Sequence, residues 1–352
     1  VKPTLMLVAG DPTQYTGGYI YDARISRAAS RAGHAIEVVG LAGRFPEADD
    51  PAASALTAAL AARLDGELVI VDGLVFGALP EIIARESDRL RLVALIHHPL
   101  ADESGIDGAL ADRLFANERR ALANAAHVIV TSEFTARRLA SAYGVARADL
   151  DIVAPGLDKP AGIALRKRGG TPRLLCVASL IPRKGHAVLV AALAQVADLA
   201  WRCDFIGDTE RDPACVADIR DAIDRHQLAG RIHLNGSRPP QALSAAYDDA
   251  TLFILPSYYE GYGMVVTEAL AHGLPVITTT GGALADTLPD DAGLAVPPGD
   301  SEALADGLRR LLSDPDAYAG LAAGALRAAA TLPDWDDAGA RFAAILDRVA
   351  LA

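Results

Sequence analysis

Residues 251–280 read TLFILPSYYEGYGMVVTEALAHGLPVITTT. The first seven, TLFILPS, are an apolar run of strand length, and so are the last seven, LPVITTT. Between them MVVTEALAH has helical character, and Gly273 followed by Pro275 ends it with ordinary stop signals. Strand, glycine-bearing loop, helix and strand make one βαβ unit. An unbroken apolar strand suits a sheet covered on both faces, and such sheets are parallel.

The same plan extends in both directions. Apolar runs recur as TLMLVAG (4–10), HAIEVVGL (34–41), ELVIVDG (67–73), LRLVALIHH (90–98), AHVIVTS (126–132) and DIVAPG (151–156). A second set follows as RLLCVAS (173–179), WRCDFIG (201–207), RIHLNG (231–236) and GLAVPP (293–298). Helical stretches intervene, such as YDARISRAASRAG, which stops at Gly33. The segment PGLDKPAGIALRKRGGTP (155–172) is rich in Pro, Gly and charge and reads as a linker. The expected division is a first domain over 1–158, a linker over 159–172, a second domain over 173–332 and a final helix over 333–352. The fold class is α/β, with two Rossmann-like parallel-sheet domains and a cleft between them. Open parallel sheets bind ligands beyond the carboxyl ends of their strands, and the motifs below fall at such ends.

Length and composition agree. At 352 residues two domains are the natural division. About half the chain is apolar and a fifth charged, as in ordinary globular proteins. A net charge of -12 argues against a nucleic-acid binder but not against a phosphate site built from a few local cations. Cys176, Cys203 and Cys215 form no CxxC pair, so reduced thiols are expected and a metal cluster is not. The sequence enters its first strand with no basic-then-apolar leader, and no apolar run reaches the roughly 18 to 20 residues of a membrane span. A cytoplasmic location is expected, with peripheral membrane contact left open.

The loop before MVVTEALAH holds the chemistry. A helix start leaves backbone N–H groups unpaired and carries partial positive charge, a combination that holds phosphate. Gly261 and Gly263 let the backbone approach a ligand and take φ values closed to other residues. Glu268, just over one turn into the helix, is too far in to cap it; it either binds a ribose diol or faces solvent. Glu260 either accepts from sugar hydroxyls or is a turn residue. In LIPRKGH (180–186), Lys184 follows a strand end and can meet a pyrophosphate as a point charge, unless it is part of a solvated helix start. In GDPTQYTGGYIYDARIS (10–26), Gly17 and Gly18 lie in a strand–glycine–helix turn that is not G-x-G-x-x-G, so a nicotinamide fingerprint is absent. His97 and His98 leave a strand at its carboxyl end, with Asp102 and Glu103 in the loop beyond. Neither histidine has a carboxylate at metal-ligand spacing, and no essential metal is expected.

The E-x7-E pair at Glu260 and Glu268, inside PS..EG.G....EA.A.G.PV, resembles the signature of the family-4 glycosyltransferases of the GT-B fold. IPRKG, the Asn235–Gly236 pair and the Gly281–Gly282 pair occur in that family's order. The likeness is strong over 173–313 and weaker in the first half. It implies transfer of a sugar from a UDP- or GDP-sugar to a small-molecule, glycan or lipid-linked acceptor, with retention at the anomeric carbon. It also implies a last helix that crosses back to the first domain.

Under this resemblance Lys184 holds the leaving diphosphate, and His97, Lys184 and Glu260 are the catalytic candidates. Gly261, Tyr262, Gly263, Met264, Val265 and Glu268 bind the donor, together with Gly17, Gly18, Ser179 and Arg183. Gly207, Asn235 and Gly236 flank the nucleobase, where Arg211 and Arg238 either add charge or, as each read separately suggests, lie on solvated surface. Tyr19, His98 and Glu103 lie on the acceptor side. The family often has an arginine five residues before the lysine; Ser179 stands there, so either Arg183 takes its place or the grip carries less charge. No carboxylate announces itself as a nucleophile, which favours front-face substitution over double displacement. An epimerase or phosphorylase on the same fold and a non-catalytic nucleotide-sugar module are the rival readings. A Rossmann oxidoreductase lacks its fingerprint.

Overall fold

The computed structural model describes residues 2–103, 105–160 and 170–351. The expected linker falls largely on 161–169, which lie outside the described residues. The chain divides into two compact units, Val1–Gly156 with Pro333–Ala352, and Leu157–Leu332.

The first unit carries β1 (Thr4–Ala9), β2 (Ile36–Leu41), β3 (Leu68–Asp72), β4 (Arg91–Ile96), β5 (His127–Val130) and β6 (Leu150–Ile152). Their order is β2-β1-β3-β4-β5-β6, with every pairing parallel. The strand order reverses between β1 and β3, so the crevice for a ligand opens beyond their carboxyl ends. The second unit carries β7 (Arg173–Val177), β8 (Arg202–Ile206), β9 (Ile232–Leu234), β10 (Leu252–Leu255), β11 (Val276–Thr279) and β12 (Gly293–Val296). Here the order is β12-β11-β10-β7-β8-β9, again parallel throughout, and the reversal lies between β7 and β10. All twelve expected strands are present. Central β5, β10 and β11 are buried at every residue, which is why they read as unbroken apolar runs.

Helix starts separate into two kinds. Asp49, Asp107, Ser132, Asp212, Asp300 and Asp314 each accept from a first-turn N–H of the helix they precede. The helices Pro80–Glu86, Pro240–Asp249 and Leu284–Thr287 have no side-chain cap, and neither do the motif helices Gly17–Arg31, His186–Gln195 and Met264–Ala271. Each of the latter three follows a strand on which a sequence motif ends. Their first N–H groups are left for another acceptor.

The last helix, Trp335–Leu351, belongs to the first unit and packs on Gly17–Arg31. A Cβ on Gly339 would lie 2.4 Å from the Ala28 Cβ, so the two helices cross at a distance only glycine allows. Arg31 pairs with Asp336 at 2.5 Å and His34 with Asp347 at 2.7 Å along the exposed edge of this contact.

Candidate functional site

In the second unit the loops after β7 and β10 meet at the strand-order reversal. After β7 the chain makes one tight turn, Pro182–Lys184, and reverses at Gly185 with φ +68°. A Cβ there would lie 2.1 Å from the Pro256 carbonyl oxygen, so glycine is required for the loops to touch. The Tyr258 N–H donates to the Arg183 carbonyl at 2.8 Å and fastens them.

This places Lys184 against Glu260. Lys184 Nζ donates to Glu260 Oε1, and Ser257 Oγ donates to the same oxygen at 2.7 Å. Arg183 Nη1 lies 3.4 Å from Glu260 Oε2 and donates to the Tyr259 carbonyl at 2.6 Å. Burial works against a charge on Glu260, but Lys184 and Arg183 outweigh it and hold the carboxyl below its usual range. Two cations are gathered on one buried carboxylate. Glu260 is therefore neither a plain turn residue nor an open acceptor; its oxygens are engaged by the IPRKG loop. The Gly281–Gly282 pair supports its backbone. A Cβ on Gly282 would sit 2.3 Å from the Glu260 carbonyl oxygen, which accepts from the Ala283 N–H at 2.8 Å.

Beyond Glu260, Gly263 has φ +92° and starts the uncapped helix Met264–Ala271. Gly261 has no positive φ, so the expectation of a special backbone conformation holds for Gly263 alone. The Tyr262 carbonyl accepts from Thr287 at 2.6 Å, and burial pushes its phenol up to about 12. Glu268 accepts from the Tyr247 hydroxyl at 2.8 Å, and the Tyr247 ring stacks on His272. Met264 and Val265 open the helix on a half-buried surface. After β8 and β9, the Gly207 N–H donates to the Gly236 carbonyl at 3.1 Å, and Asn235 Nδ2 to Asp204 at 2.7 Å. A Cβ on Gly207 would lie 1.9 Å from the Ala178 carbonyl oxygen, so this glycine serves loop packing. Ser179 is half-buried beside it, and Arg211 and Arg238 are exposed.

The first unit holds a separate cluster at its own strand-order reversal. Gly17 and Gly18 are the first two residues of the helix Gly17–Arg31, which begins a full turn before the stretch read as helical. Glycine is a poor helix former, so propensity alone stops short of it. Here Gly18 packs on the His97 ring, 3.2 Å from where its Cβ would stand. Tyr19 donates its hydroxyl to the Ala9 carbonyl at 2.6 Å. His97 Nε2 lies 3.1 Å from Asp22 Oδ1 and 3.6 Å from Asp72 Oδ2. The fold thus supplies His97 with two carboxylates that local spacing did not reveal. These three are the one such group, among the described residues, whose imidazole and carboxylate atoms lie within 4.8 Å of one another. Burial, and then the charge of Asp22, raise Asp72 to about 7. Burial opposes the charge on His97, but Asp22 and Asp72 outweigh it and raise its pKa.

The next loop carries His98, whose Nε2 is 3.3 Å from Glu103 Oε2, and Asp102, which Arg138 grips through two nitrogens at 3.0 and 2.7 Å. Beneath it Glu118, fully buried, accepts from the Leu100 N–H at 3.0 Å, and burial raises it to about 8 from its ordinary 4.5. Between these two values the folded chain keeps a proton that the unfolded chain has lost. Stability contributed by Glu118 is therefore full below about pH 4.5 and falls as pH rises to about 8. Glu118→Gln keeps the acceptor and removes the ionisation. Urea unfolding against pH is expected to show the variant gaining on the parent by a few kcal/mol between pH 5 and 9, on the order of 1.4 kcal/mol for each pH unit separating the folded and unfolded values. An advantage that does not grow with pH rules this out.

Sequence reasoning missed Asp22, Asp72 and Glu118. The available signal was a carboxylate inside an apolar pattern: Asp22 between Tyr21 and Ile25 on a buried helical face, and Asp72 closing the apolar run LVIVD.

Two parallel sheets in Rossmann-like units define the GT-B class of fold. The sucrose-phosphate synthase of Thermosynechococcus elongatus shares it, with a TM-score of 0.82, 22% identity and 99% of each chain covered. Residues 17–159 match the family described as Glycosyltransferase Family 4, and residues 171–314 that described as Glycosyl transferases group 1. The chain belongs to the family-4 glycosyltransferases. The D-inositol 3-phosphate glycosyltransferase of Nocardia farcinica is 29% identical over 217 residues, 56% of this chain and 48% of that protein. The enzyme of the same name from Xylanimonas cellulosilytica is 32% identical over 247 residues, 65% of this chain and 58% of that protein. The chain thus matches about half the length of these curated relatives. No helix among the described residues is long and apolar enough to cross a membrane.

Proposed function

We propose that this chain is a retaining glycosyltransferase that moves a sugar from a UDP- or GDP-sugar to a hydroxyl of a small-molecule, glycan or lipid-linked acceptor, without an essential metal. The observation that carries this reading is the Lys184–Arg183–Glu260 group at the β7/β10 reversal, next to the uncapped helix start at Met264. Cations and unpaired N–H groups together are what a leaving diphosphate requires. Glu260 holds Lys184 in place, and Glu268 takes the ribose diol. Gly207, Asn235 and Gly236 line the base, and the amides of Gly17 and Gly18 meet donor phosphate. His97 meets the transferred sugar, and Tyr19, His98 and Glu103 meet the acceptor.

In the reaction the bond from the anomeric carbon to the phosphate oxygen breaks. The acceptor oxygen bonds to that carbon from the same face, and its proton passes to the departing phosphate oxygen. Fixed donors aimed at the growing phosphate charge contribute about 3 kcal/mol each in favourable cases. The ion-paired state of Glu260 suits this route better than one in which it becomes a nucleophile; a trapped glycosyl ester on Glu260 argues the opposite.

A panel of nucleotide sugars tests the reading by thermal unfolding. A true donor at about a hundred times its Kd adds about 2.7 kcal/mol, which corresponds to a rise in Tm of about 5–10 °C. Release of UDP or GDP on adding acceptor then confirms transfer. No protection by any member of the panel, or consumption of orthophosphate in place of nucleotide release, refutes it.

A further inference from the structure

We propose that Asp22 and Asp72 are positioning residues that share a proton with His97 and keep its ring charged and oriented at the β1/β3 reversal of the first unit. The role given to His97 in transfer rests on the proposed function; the proton-sharing itself does not.

Three observations carry it. The two carboxylates come from different elements, a helix and a strand end, and converge on the same ring nitrogen, at 3.1 and 3.6 Å. Their side chains are only 4% and 6% exposed, whereas the histidine keeps 19% of its surface open. And the place is where an open parallel sheet receives its ligand. An ionised carboxylate only accepts, so Nε2 must carry hydrogen to bond Asp22. That fixes the orientation of the ring and leaves Nδ1, which makes no hydrogen bond among the described residues, as the N–H able to donate to a substrate.

Charge decides the rest. The groups that act on His97 are Asp22 and Asp72, and those that act on Asp72 are Asp22, His97 and the N–H groups of Leu74 and Gly73. Tyr21 presents its ring edge at 5.3 Å, Gly18 its backbone, and Thr131 a hydroxyl to the His97 carbonyl. Two carboxylates against one imidazolium leave a buried negative charge, and burying an uncompensated charge is costly. A second proton on Asp72, raised to about 7, relieves it. Below that pH the cluster holds Asp72 neutral beside charged His97; above it both carboxylates face the imidazolium and hold its proton more tightly.

Asp22→Asn and Asp72→Asn test this in the full chain. The His97 ring resonance, assigned by its loss in His97→Gln, is titrated by NMR with no donor present. In the parent it is expected to titrate above 6.5, the ordinary value. Each variant is expected to bring it down by about one pH unit, since a nearby opposite charge shifts a pKa by roughly 1–3 units. Where a transferase assay is in hand, the alkaline limb of kcat moves down with it, costing Asp22→Asn about tenfold at pH 8 and little at pH 6. A His97 titration unchanged in both folded variants overturns the proposal. So does stoichiometric Mn2+ or Zn2+ perturbing the same resonance in the parent but not in Asp22→Asn, because the cluster would then be a metal site. Lowered titration in the variants without any sugar transfer upholds the cluster and instead removes the proposed function.

Discussion

Lys184→Ala is expected to lower kcat by about 10²–10³-fold, the size of effect seen when one fixed donor to a developing oxyanion is removed. Two consequences of the substitution must be separated. The ammonium is the proposed partner of the leaving diphosphate, and it is also half of the cationic pair on buried Glu260. Its loss leaves that carboxylate with Arg183 at 3.4 Å and Ser257 at 2.7 Å. Breaking a buried ion pair from one side costs up to about 3–5 kcal/mol, so the variant is expected to melt several degrees lower. The double variant Lys184→Ala/Glu260→Gln removes both charges, and its Tm is expected to recover toward the parent. Its activity is expected to stay low, because the ammonium proposed to meet the leaving diphosphate is gone and only Arg183 and the unpaired N–H groups remain to meet it. Activity that returns together with Tm assigns Lys184 a structural role only. Turnover by Lys184→Ala within a few-fold of the parent removes it from the site altogether. The pairing also fixes a pH dependence. Glu260 is held below its ordinary 4.5, so the stability it supplies is complete above that pH and is lost as pH falls through the lowered value.

The sheets were legible because their strands are buried on both faces. LFIL at β10 and HVIV at β5 have no exposed position to interrupt the run, so a one-dimensional pattern reports a two-faced environment. The IPRKG and E-x7-E segments were legible for a related reason: glycines at 185 and 263 fix where the backbone turns, and their neighbours in sequence are their neighbours in space. What local reading could not supply was pairing across distance. Lys184 and Glu260 were both singled out, but their direct contact over 76 residues was not. Asp22 meets His97 over 75 residues and left no periodic trace. Its side chain occupies a buried helical position normally filled by an apolar residue, and propensity does not distinguish an error of pattern from a functional group. Glu268 shows the same limit from the other side. Its spacing marked it, but its partner Tyr247 comes from a helix that carried no motif.

Deletion of 335–351 is expected to unfold the first unit. This helix buries Trp335, Phe342, Ile345, Leu346 and Val349. Each such side chain contributes about 1.5–3 kcal/mol when fully covered, roughly 10 kcal/mol in all, which is comparable to the entire stability of a domain, about 5–15 kcal/mol. The helix also closes on Tyr21, Arg24 and Gly156 of the first unit. Trp335 meets Tyr21 edge-on at 6.0 Å and lies under Arg24, whose guanidinium carbon is 5.6 Å from the ring centre. Gly156 approaches the Trp335 backbone so closely that a Cβ would lie 2.4 Å from its Cα. The truncated chain is expected to lose its strand and helix signal in part by circular dichroism and to be cut by protease within the first unit. A smaller perturbation probes the same contact without removing it. Gly339→Leu forces a side chain into the space held by Ala28, and overpacking of this kind costs about 1–3 kcal/mol. Ala28→Gly in the same chain relieves part of the clash and is expected to restore part of the lost Tm. The Gly17–Arg31 helix that meets this glycine also carries Gly18 and Asp22, so Gly339→Leu is expected to disturb the His97 ring resonance as well. A truncated protein with the parent's melting curve shows that the first unit folds without its last helix, and the apolar burial assigned to that helix is then not what holds the unit together.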